Sequence, residues 1–121
     1  MGLKEKIQDL NTMVQNGQLM EAFDKYYHHE VVMQENSDEP TIGKAANRER
    51  ELAFQKHQME NLEQFHGAHV IAITEGENVT MVEWSFDMTM KGGARVKMDQ
   101  IAVQKWQDGQ IINERFYYSK N

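Results

Sequence analysis

The 121-residue sequence contains no cysteine, which excludes disulfide bonds, thiolate nucleophiles and zinc sites built from cysteine. Basic residues are also scarce: 13 lysines and arginines stand against 19 aspartates and glutamates, and the net charge is −6. Nucleic-acid binding needs a basic surface that replaces the counterions of phosphate, so we expect no nucleic-acid partner. No apolar run approaches the roughly 18 residues that span a bilayer, and we expect no membrane partner.

The chain shows no internal repeat, no low-complexity tract and no change in composition that would mark a domain boundary. Domains commonly have about 100 to 150 residues, so a single domain over residues 1–121 is predicted. The first twenty residues have the pattern of an amphipathic helix, without the basic region and apolar core of a secretory signal. We therefore expect a cytoplasmic protein.

Helical periodicity occupies the first half of the chain. Apolar residues recur at helical spacing in residues 3–14, which an Asn-Gly pair follows as a stop signal, and again in residues 19–27. Residues 30–36 are predicted to be extended and to end in a polar turn around the only proline. A long, charged helix is predicted over residues 43–63. It carries a thin apolar stripe of Ala45, Ala46, Leu52, Met59 and Leu62.

Period-two alternation begins at Phe65. Turns at residues 76–78, at Gly92-Gly93 and at Asp108-Gly109 divide this part into four strands. In residues 82–90 the even positions are apolar and the odd positions are polar, so the even face is expected to be buried. Helices followed by an antiparallel meander indicate an α+β fold.

The last turn decides which residues of the final two strands face each other. A two-residue loop would pair even positions with odd ones and bring unlike faces together. A three-residue loop over residues 107–109 keeps the apolar sets on one face. We therefore expect Ala102 to lie opposite Glu114 and Gln100 to lie opposite Phe116.

Three segments of the sequence occur in a recognisable order. Tyr26–Met33 follows two short helices, Pro40–Lys44 opens a long helix, and Trp106–Ile112 leads into Glu114–Tyr118. On these segments the chain resembles SnoaL-like and ketosteroid isomerase-like members of the nuclear transport factor 2-like superfamily. The resemblance implies a cystatin-like cone, in which three N-terminal helices pack on a strongly curved, mainly antiparallel sheet around a pocket. The superfamily holds isomerases, cyclases and proteins without catalysis, so the fold does not fix the function.

Two glutamates are the candidate catalytic residues. The resemblance puts the catalytic aspartate of ketosteroid isomerases at Glu35, a wetter position where the carboxylate stays ionised and accepts a proton. Glu114 projects from the apolar even face, where burial should raise its pKa and make it a proton donor. In the alternative, Glu35 lies in a solvated loop and Glu114 pairs with an arginine or with Gln100. The oxyanion-hole positions of the family hold Leu10 and Ala102, which cannot donate a hydrogen bond.

Apolar and aromatic side chains are predicted to line the pocket, as they do in most ligand sites, although an apolar stripe can also be plain core. Gln100 stands out, because a polar group on an apolar face needs a partner. The predicted lining is Tyr27, Met33, Trp84, Phe86, Met98, Gln100, Phe116 and Tyr118. The histidines have no HxH spacing and no helical i, i+4 pair, so we predict no metal and no other cofactor.

Two function classes remain open. The first is a cofactor-independent isomerase or cyclase-type enzyme that uses carboxylate acid/base chemistry on a small apolar carbonyl compound. The second is a non-catalytic module that binds a ligand or another protein. A carboxylate inside an apolar pocket would favour the first, and the missing oxyanion donors favour the second.

The convex, odd face of the sheet is predicted to form a homodimer. Its apolar centre is expected to contain Ile101, Val103, Ile111 and Tyr117, with charges of both signs around them. In a monomer these residues would form one exposed apolar patch, which soluble proteins rarely tolerate. An apolar centre with mixed charge around it suits a two-fold interface.

Overall fold

The structure is a computed structural model that describes residues 2–119; residues 1, 120 and 121 of the predicted domain lie outside the described residues. The described chain forms three helices and six strands. These are α1 (Leu3–Gln15), α2 (Leu19–Tyr26), β1 (Tyr27–Glu35), β2 (Thr41–Ile42), α3 (Lys44–Asn61), β3 (Leu62–Gly76), β4 (Val79–Met90), β5 (Arg95–Gln107) and β6 (Gln110–Tyr118). No described helix is long and apolar enough to cross a membrane.

The six strands belong to one sheet, in the order β2-β1-β6-β5-β4-β3. Strands β1 and β6 run parallel, and the other neighbouring pairs are antiparallel. Register shifts interrupt the β1–β6, β3–β4 and β5–β6 pairs, and bulges of this kind bend a sheet. The sheet is curved and unclosed, with the three helices packed on it. The predicted α+β fold is therefore confirmed.

The core lies between α1, α2 and the concave face of the sheet. The even positions Val82, Trp84 and Met88 of β4 are buried, as the alternation predicts. Ile7 of α1 and Phe23 of α2 are buried in the same cluster as Val82 and Trp84. Burial of each such side chain contributes about 1.5–3 kcal/mol. Packing of two short helices on one face thus holds the first half of the chain to the second.

The chain reverses between α1 and α2 at a glycine. Gly17 has a φ of +78°, in the left-handed region that glycine adopts at low cost. The N–H of Gln18 donates to the Met13 carbonyl at 2.8 Å, and the N–H of Gly17 donates to the Val14 carbonyl at 3.1 Å. This is the Schellman pattern of helix termination. It confirms the stop predicted between the first two helices.

The side chain of Asn47 fixes how α3 is turned against the sheet. Its Nδ2 donates to the carbonyls of Gly43 and Thr41 at 2.8 and 3.0 Å, and to that of Val31 in β1 at 3.3 Å. Asn47 is the buried residue of α3. The half-buried residues of the helix continue from it at helical spacing, and they include Lys44, Glu51, Gln55 and Gln58.

The apolar stripe of α3 lies on the solvent side of the helix. Its members within the helix are exposed, namely Ala45, Ala46, Leu52 and Met59. Anchoring of Asn47 on β1 and on the turn before α3 rotates the polar row inward and the apolar residues outward. The polar face of α3 therefore packs against β1 in this fold.

The turn between β5 and β6 also differs from the prediction. Asp108 and Gly109 both have positive φ, +53° and +79°, as in a two-residue type I′ turn. Gln107 pairs with Gln110 across it, and the register then shifts by one residue after Trp106 pairs with Ile111. After this bulge, even-numbered residues of β5 pair with even-numbered residues of β6, which is the pairing that the three-residue loop was predicted to produce.

The pairs across β5 and β6 change accordingly. Gln104 lies opposite Glu114, whereas Ala102 lies opposite Phe116 and Gln100 opposite Tyr118. The predicted pairs were wrong by two residues, although the faces were assigned correctly. Between the bulge and the turn, even-numbered residues of β5 pair with odd-numbered residues of β6. Ile111 therefore points inward with Trp106 and is 0% exposed. Ile111 therefore cannot belong to the convex face where it was predicted.

Candidate functional site

Glu114 is a buried carboxylate on the concave face of β6, with 3% of its surface exposed. The hydroxyl of Tyr27, at the start of β1, donates to Oε1 of Glu114. Nε2 of Gln104, on the neighbouring strand β5, donates to Oε2 at 2.7 Å. Both oxygens thus accept a hydrogen bond from a buried side chain, which is what a buried carboxylate requires.

A relay of hydrogen bonds runs behind Gln104. Trp106 Nε1, which can only donate, donates to Thr80 Oγ1 at 2.9 Å. Thr80 Oγ1 then donates to Oε1 of Gln104 at 2.7 Å. The amide of Gln104 is therefore held with its oxygen toward Thr80 and its nitrogen toward Glu114. The last donor of this relay, Nε2 of Gln104, is thereby directed at the carboxylate of Glu114.

The pKa of Glu114 reflects two opposed effects. Burial raises it from 4.5 to about 7, because a charge in an apolar environment is poorly solvated. The hydrogen bonds from Tyr27 and Gln104 favour the charged form and limit the rise, whereas the nearby Glu51 adds to it. Glu114 can therefore take up or release a proton near neutral pH.

Glu51 on α3 is a third carboxylate of this region, and the sequence analysis missed it. It lies half-buried in the polar row of α3. Burial raises its pKa, repulsion from Glu35 raises it further, and Arg50 opposes the rise. The i, i+4 row of Asn47, Glu51 and Gln55 was the available signal, but the sequence analysis singled out only the apolar stripe of this helix.

Glu35 lies at the end of β1, half-buried, and forms an ion pair with Arg50 of α3 at 3.2 Å. Arg50 also donates to Thr41 Oγ1 at 2.7 Å, which ties the start of β2 to the helix. The pKa of Tyr118 is raised by burial and by its interaction with the Glu35 carboxylate. Glu35 thus lies in a polar, partly exposed setting.

The paired strands bring Glu35 and Glu114 close together. Met33 of β1 pairs with Glu114 of β6, and Glu35 follows two residues later. Residues two apart on a strand leave the same face, so both carboxylates project toward the concave side. From strand spacing and rise, their backbones are roughly 8 Å apart.

The predicted lining residues share the concave face, but with unequal burial. Tyr27, Met33 and Trp84 are buried, and the Trp84 and Phe86 rings stack with centroids 5.5 Å apart. The others are half-buried, namely Phe86, Met98, Gln100, Phe116 and Tyr118. Gln100 is not beside Glu114, because the corrected register gives that place to Gln104.

The profile of the SnoaL-like domain matches residues 1–118. The chain belongs to the SnoaL-like domain family. The resemblance found in the sequence is confirmed. No curated protein matches the chain in sequence.

Solved structures show the same fold for the SnoaL-like chain. A candidate SnoaL-like polyketide cyclase from Mesorhizobium loti is 28% identical, with a TM-score of 0.80, over 98% of this chain and 100% of that one. AclR, a candidate hydroxylase from Streptomyces galilaeus, is 13% identical with a TM-score of 0.76, over 96% and 87% of the two chains. A protein with a cystatin-like fold from Xanthomonas campestris is 12% identical with a TM-score of 0.82, over 99% and 92%.

An open cleft of about 340 Å³ lies away from Glu114, between α1 and β3 of the SnoaL-like domain. Its lining is Gln8, Asn11, Thr12, Gln15, Val70 and Ile73. None of the predicted site residues lines it. The Glu114 carboxylate lies instead beneath Tyr27 and Gln104, so a molecule that reaches it must displace side chains or shift α3.

A bulge in β1 brings three metal-ligand types together, which the sequence analysis did not anticipate. One ligand atom each from His28, His29 and Glu30 lies within 4.8 Å of the others, and the two imidazole rings stack at 4.3 Å. The N–H of Glu30, however, donates to Nδ1 of His28 at 3.0 Å. A neutral His28 ring then carries its proton on Nε2, so neither of its nitrogens offers a free lone pair.

Proposed function

We propose that this SnoaL-like domain binds a small, mostly apolar carbonyl compound on the concave face of its sheet and transfers protons to and from it. The observation that carries the proposal is Glu114, a carboxyl with a pKa of about 7 on an apolar face. Stacked Trp84 and Phe86 supply an aromatic surface beside it. The 28% identical structure is named a candidate SnoaL-like polyketide cyclase, which agrees with a catalytic role for this fold.

In this proposal the two carboxylates have different tasks. Glu114, when protonated, donates its proton to the carbonyl oxygen of the ligand. Glu35, whose carboxylate is paired with Arg50, accepts the proton from the neighbouring carbon. The product is an enol; Glu35 then returns its proton to a different carbon of the ligand while Glu114 takes back the proton of the enol oxygen, so both carboxyls end as they began. Proton transfer of this kind requires no cofactor, and two carboxyls in different environments suit an acid/base pair.

A non-catalytic binding module is the second candidate function. It is favoured by the complete hydrogen bonding of Glu114, whose oxygens already have donors. Leu10 and Ala102 at the oxyanion positions are buried apolar residues and offer no donor to an enolate.

The experiment compares wild type with Glu114→Gln and Glu35→Gln on model enones, with the exposed Glu75→Gln as the control. General acid/base catalysis contributes about 100-fold or more, so each site variant should lose at least that factor while Glu75→Gln keeps the full rate. Binding is followed separately by tryptophan fluorescence. Saturable binding with equal rates in all four proteins would establish the binding module instead. Absence of binding would reject both functions at this site.

We also propose the homodimer through the convex face, with Ile111 removed from its centre. Ile101 is 45% exposed, Tyr117 43% and Met81 43%, and the half-buried Val103 lies among them. Arg115 pairs with Val103 in register, and Glu83 pairs with Ile101, so both signs of charge flank the apolar residues. A two-fold axis could bring these opposite charges together.

The cytoplasm is the location that we propose. A chain without cysteine needs no oxidising compartment in order to fold. Fractionation of cells that express the tagged chain tests this proposal, and recovery outside the cytoplasmic fraction would reject it.

A further inference from the structure

The cleft between α1 and β3 has one polar wall and one apolar wall. Gln8, Asn11, Thr12 and Gln15 recur at helical spacing on one side of α1. Val70 and Ile73 of β3 form the other side. Nε2 of Gln15 donates to the Ala68 carbonyl at 3.0 Å and so holds one end of the helix against β3. None of the cleft-lining side chains within residues 2–119 is charged.

Asn11 is the unusual member of this lining. It is 3% exposed, and neither its Nδ2 nor its Oδ1 has a hydrogen-bond partner among the described residues 2–119. The other buried polar side chains of that part of the chain are hydrogen-bonded, namely Asn47, Thr80, Gln104 and Glu114. An unpaired buried amide destabilises a fold, since its interactions with water are lost without replacement. Asn11 therefore calls for a partner from outside the chain.

We propose that this cleft binds a neutral carboxamide, such as a lactam or a primary amide with a small apolar body. The Asn11 amide has free N–H donors and a free carbonyl acceptor in one plane, and a carboxamide presents the complementary acceptor and donor. The uncharged lining disfavours an ionic ligand, because a buried ion would lack a counter-charge. Val70 and Ile73 would contact the methylene groups of the ligand.

The site is separate from Glu114, and its entrance can open. Gln8, Thr12 and Gln15 are exposed beside the buried Asn11 amide. They can move aside without loss of core packing, and only the single hydrogen bond of Gln15 to Ala68 would have to break. The proposal is thus independent of the proton-transfer function.

The test is ¹⁵N NMR titration of the full chain with 2-piperidone, compared with N-methyl-2-piperidone, which lacks the N–H donor. A ligand of this size binds in the micromolar to millimolar range at best. We expect 2-piperidone to shift the backbone amides of residues 8–15 and 68–74 saturably. N-methyl-2-piperidone should bind at least about tenfold more weakly, the factor that one lost hydrogen bond of about 1.4 kcal/mol gives.

Asn11→Leu keeps the side-chain size and removes the amide, so it should abolish the 2-piperidone response and raise the Tm of the free protein. Glu114→Gln, at the other site, should bind 2-piperidone as wild type does. Equal binding of the two lactams, an unchanged response in Asn11→Leu, or no saturable shift in wild type would each overturn the proposal. The comparison of lactams uses wild type alone and does not depend on how the variant folds.

Discussion

Gln104 on β5 lies directly opposite Glu114 on β6, and its Nε2 donates to the Glu114 carboxylate at 2.7 Å. The orientation of this amide is not free, because Thr80 donates to its oxygen and Trp106 donates to Thr80. Gln104 therefore presents an N–H donor to position 114. A hydrogen-bond acceptor fits opposite this N–H, whereas a second donor opposite it does not. The network favours the charged carboxylate while burial favours the neutral acid, and the pKa near 7 is the balance of the two.

Thr80→Val should test the relay behind Gln104. The substitution keeps the shape but leaves Trp106 Nε1 and Gln104 Oε1 without a partner in a buried site. We expect a loss of about 1–3 kcal/mol in the free energy of unfolding, measured by urea denaturation. Thr74→Val, on the exposed side of β3, should change it by less than about 0.5 kcal/mol. Equal effects of the two substitutions would show that the relay has no role in stability.

The stability of the fold should fall as the pH rises from about 4.5 to about 7. Glu114 keeps its proton in the folded protein up to a pKa of about 7, whereas the unfolded chain releases it near 4.5. The unfolded state thus binds fewer protons in this window, and the free energy of unfolding decreases by roughly 3 kcal/mol in total. The pKa of Glu51 is also raised, so Glu51 adds to this decrease of the free energy of unfolding with rising pH.

Glu114→Gln should weaken the dependence of the free energy of unfolding on pH. The contribution of Glu51 to that dependence should remain. The informative quantity is the slope of unfolding free energy against pH, since the glutamine amide also places a donor against Gln104 and lowers stability at every pH. Glu75→Gln should leave the slope as in wild type. A Glu114→Gln protein with the wild-type slope would mean that Glu114 titrates normally.

Tyr27→Phe should raise the pKa of Glu114 above 7. The Tyr27 hydroxyl donates to Glu114 and lowers its pKa, so removal of the hydroxyl leaves burial less opposed. The measurement is ¹³C NMR titration of labelled glutamate carboxyls. If the protein is an enzyme that needs protonated Glu114, the alkaline limb of its pH–rate profile should move the same way. A lowered pKa would contradict this account of the hydrogen bond.

Glu51→Gln should move the pKa of Glu114 in the opposite direction. Repulsion from the Glu51 carboxylate raises that pKa, so a neutral amide on α3 should lower it. Glu49→Gln, on the exposed side of the same helix, is the matched control and should have no comparable effect. Titration of Glu114 in the two variants by ¹³C NMR measures both effects. An unchanged pKa in Glu51→Gln would place α3 farther from the site than the structure has it.

Much of the fold follows from local patterns that survive in the folded chain. Alternation in residues 82–90 predicted the buried face of β4 because a sheet with one covered face enforces period two. The turn positions and the stop at Gly17 could be predicted because few residues tolerate positive φ. These are properties of short segments, and no partner strand is needed to recognise them.

The details of the site depend on strand register and on contacts between residues that are distant in sequence, and short segments do not encode either. The β5–β6 register was predicted wrongly because two different connections bring the same strand faces together. A two-residue turn followed by a bulge pairs even residues with even residues, and so does a three-residue loop. The row containing Glu51 was missed because the rotation of α3 is set by one amide, that of Asn47, on carbonyls distant in sequence. Glu114 was placed correctly, yet its true partner, Gln104, required the register.

Ile101→Arg should convert the proposed dimer into a monomer. Ile101 is 45% exposed at the middle of the convex face, so the arginine does not disturb the core but places two like charges near a two-fold axis. Light scattering should report twice the chain mass of 14.2 kDa for wild type and that mass for the variant. Phe54→Arg, which changes a 51% exposed residue of α3 instead, should stay dimeric. A monomeric wild type at micromolar concentration would reject the interface, and a monomer in Phe54→Arg alone would move it to α3.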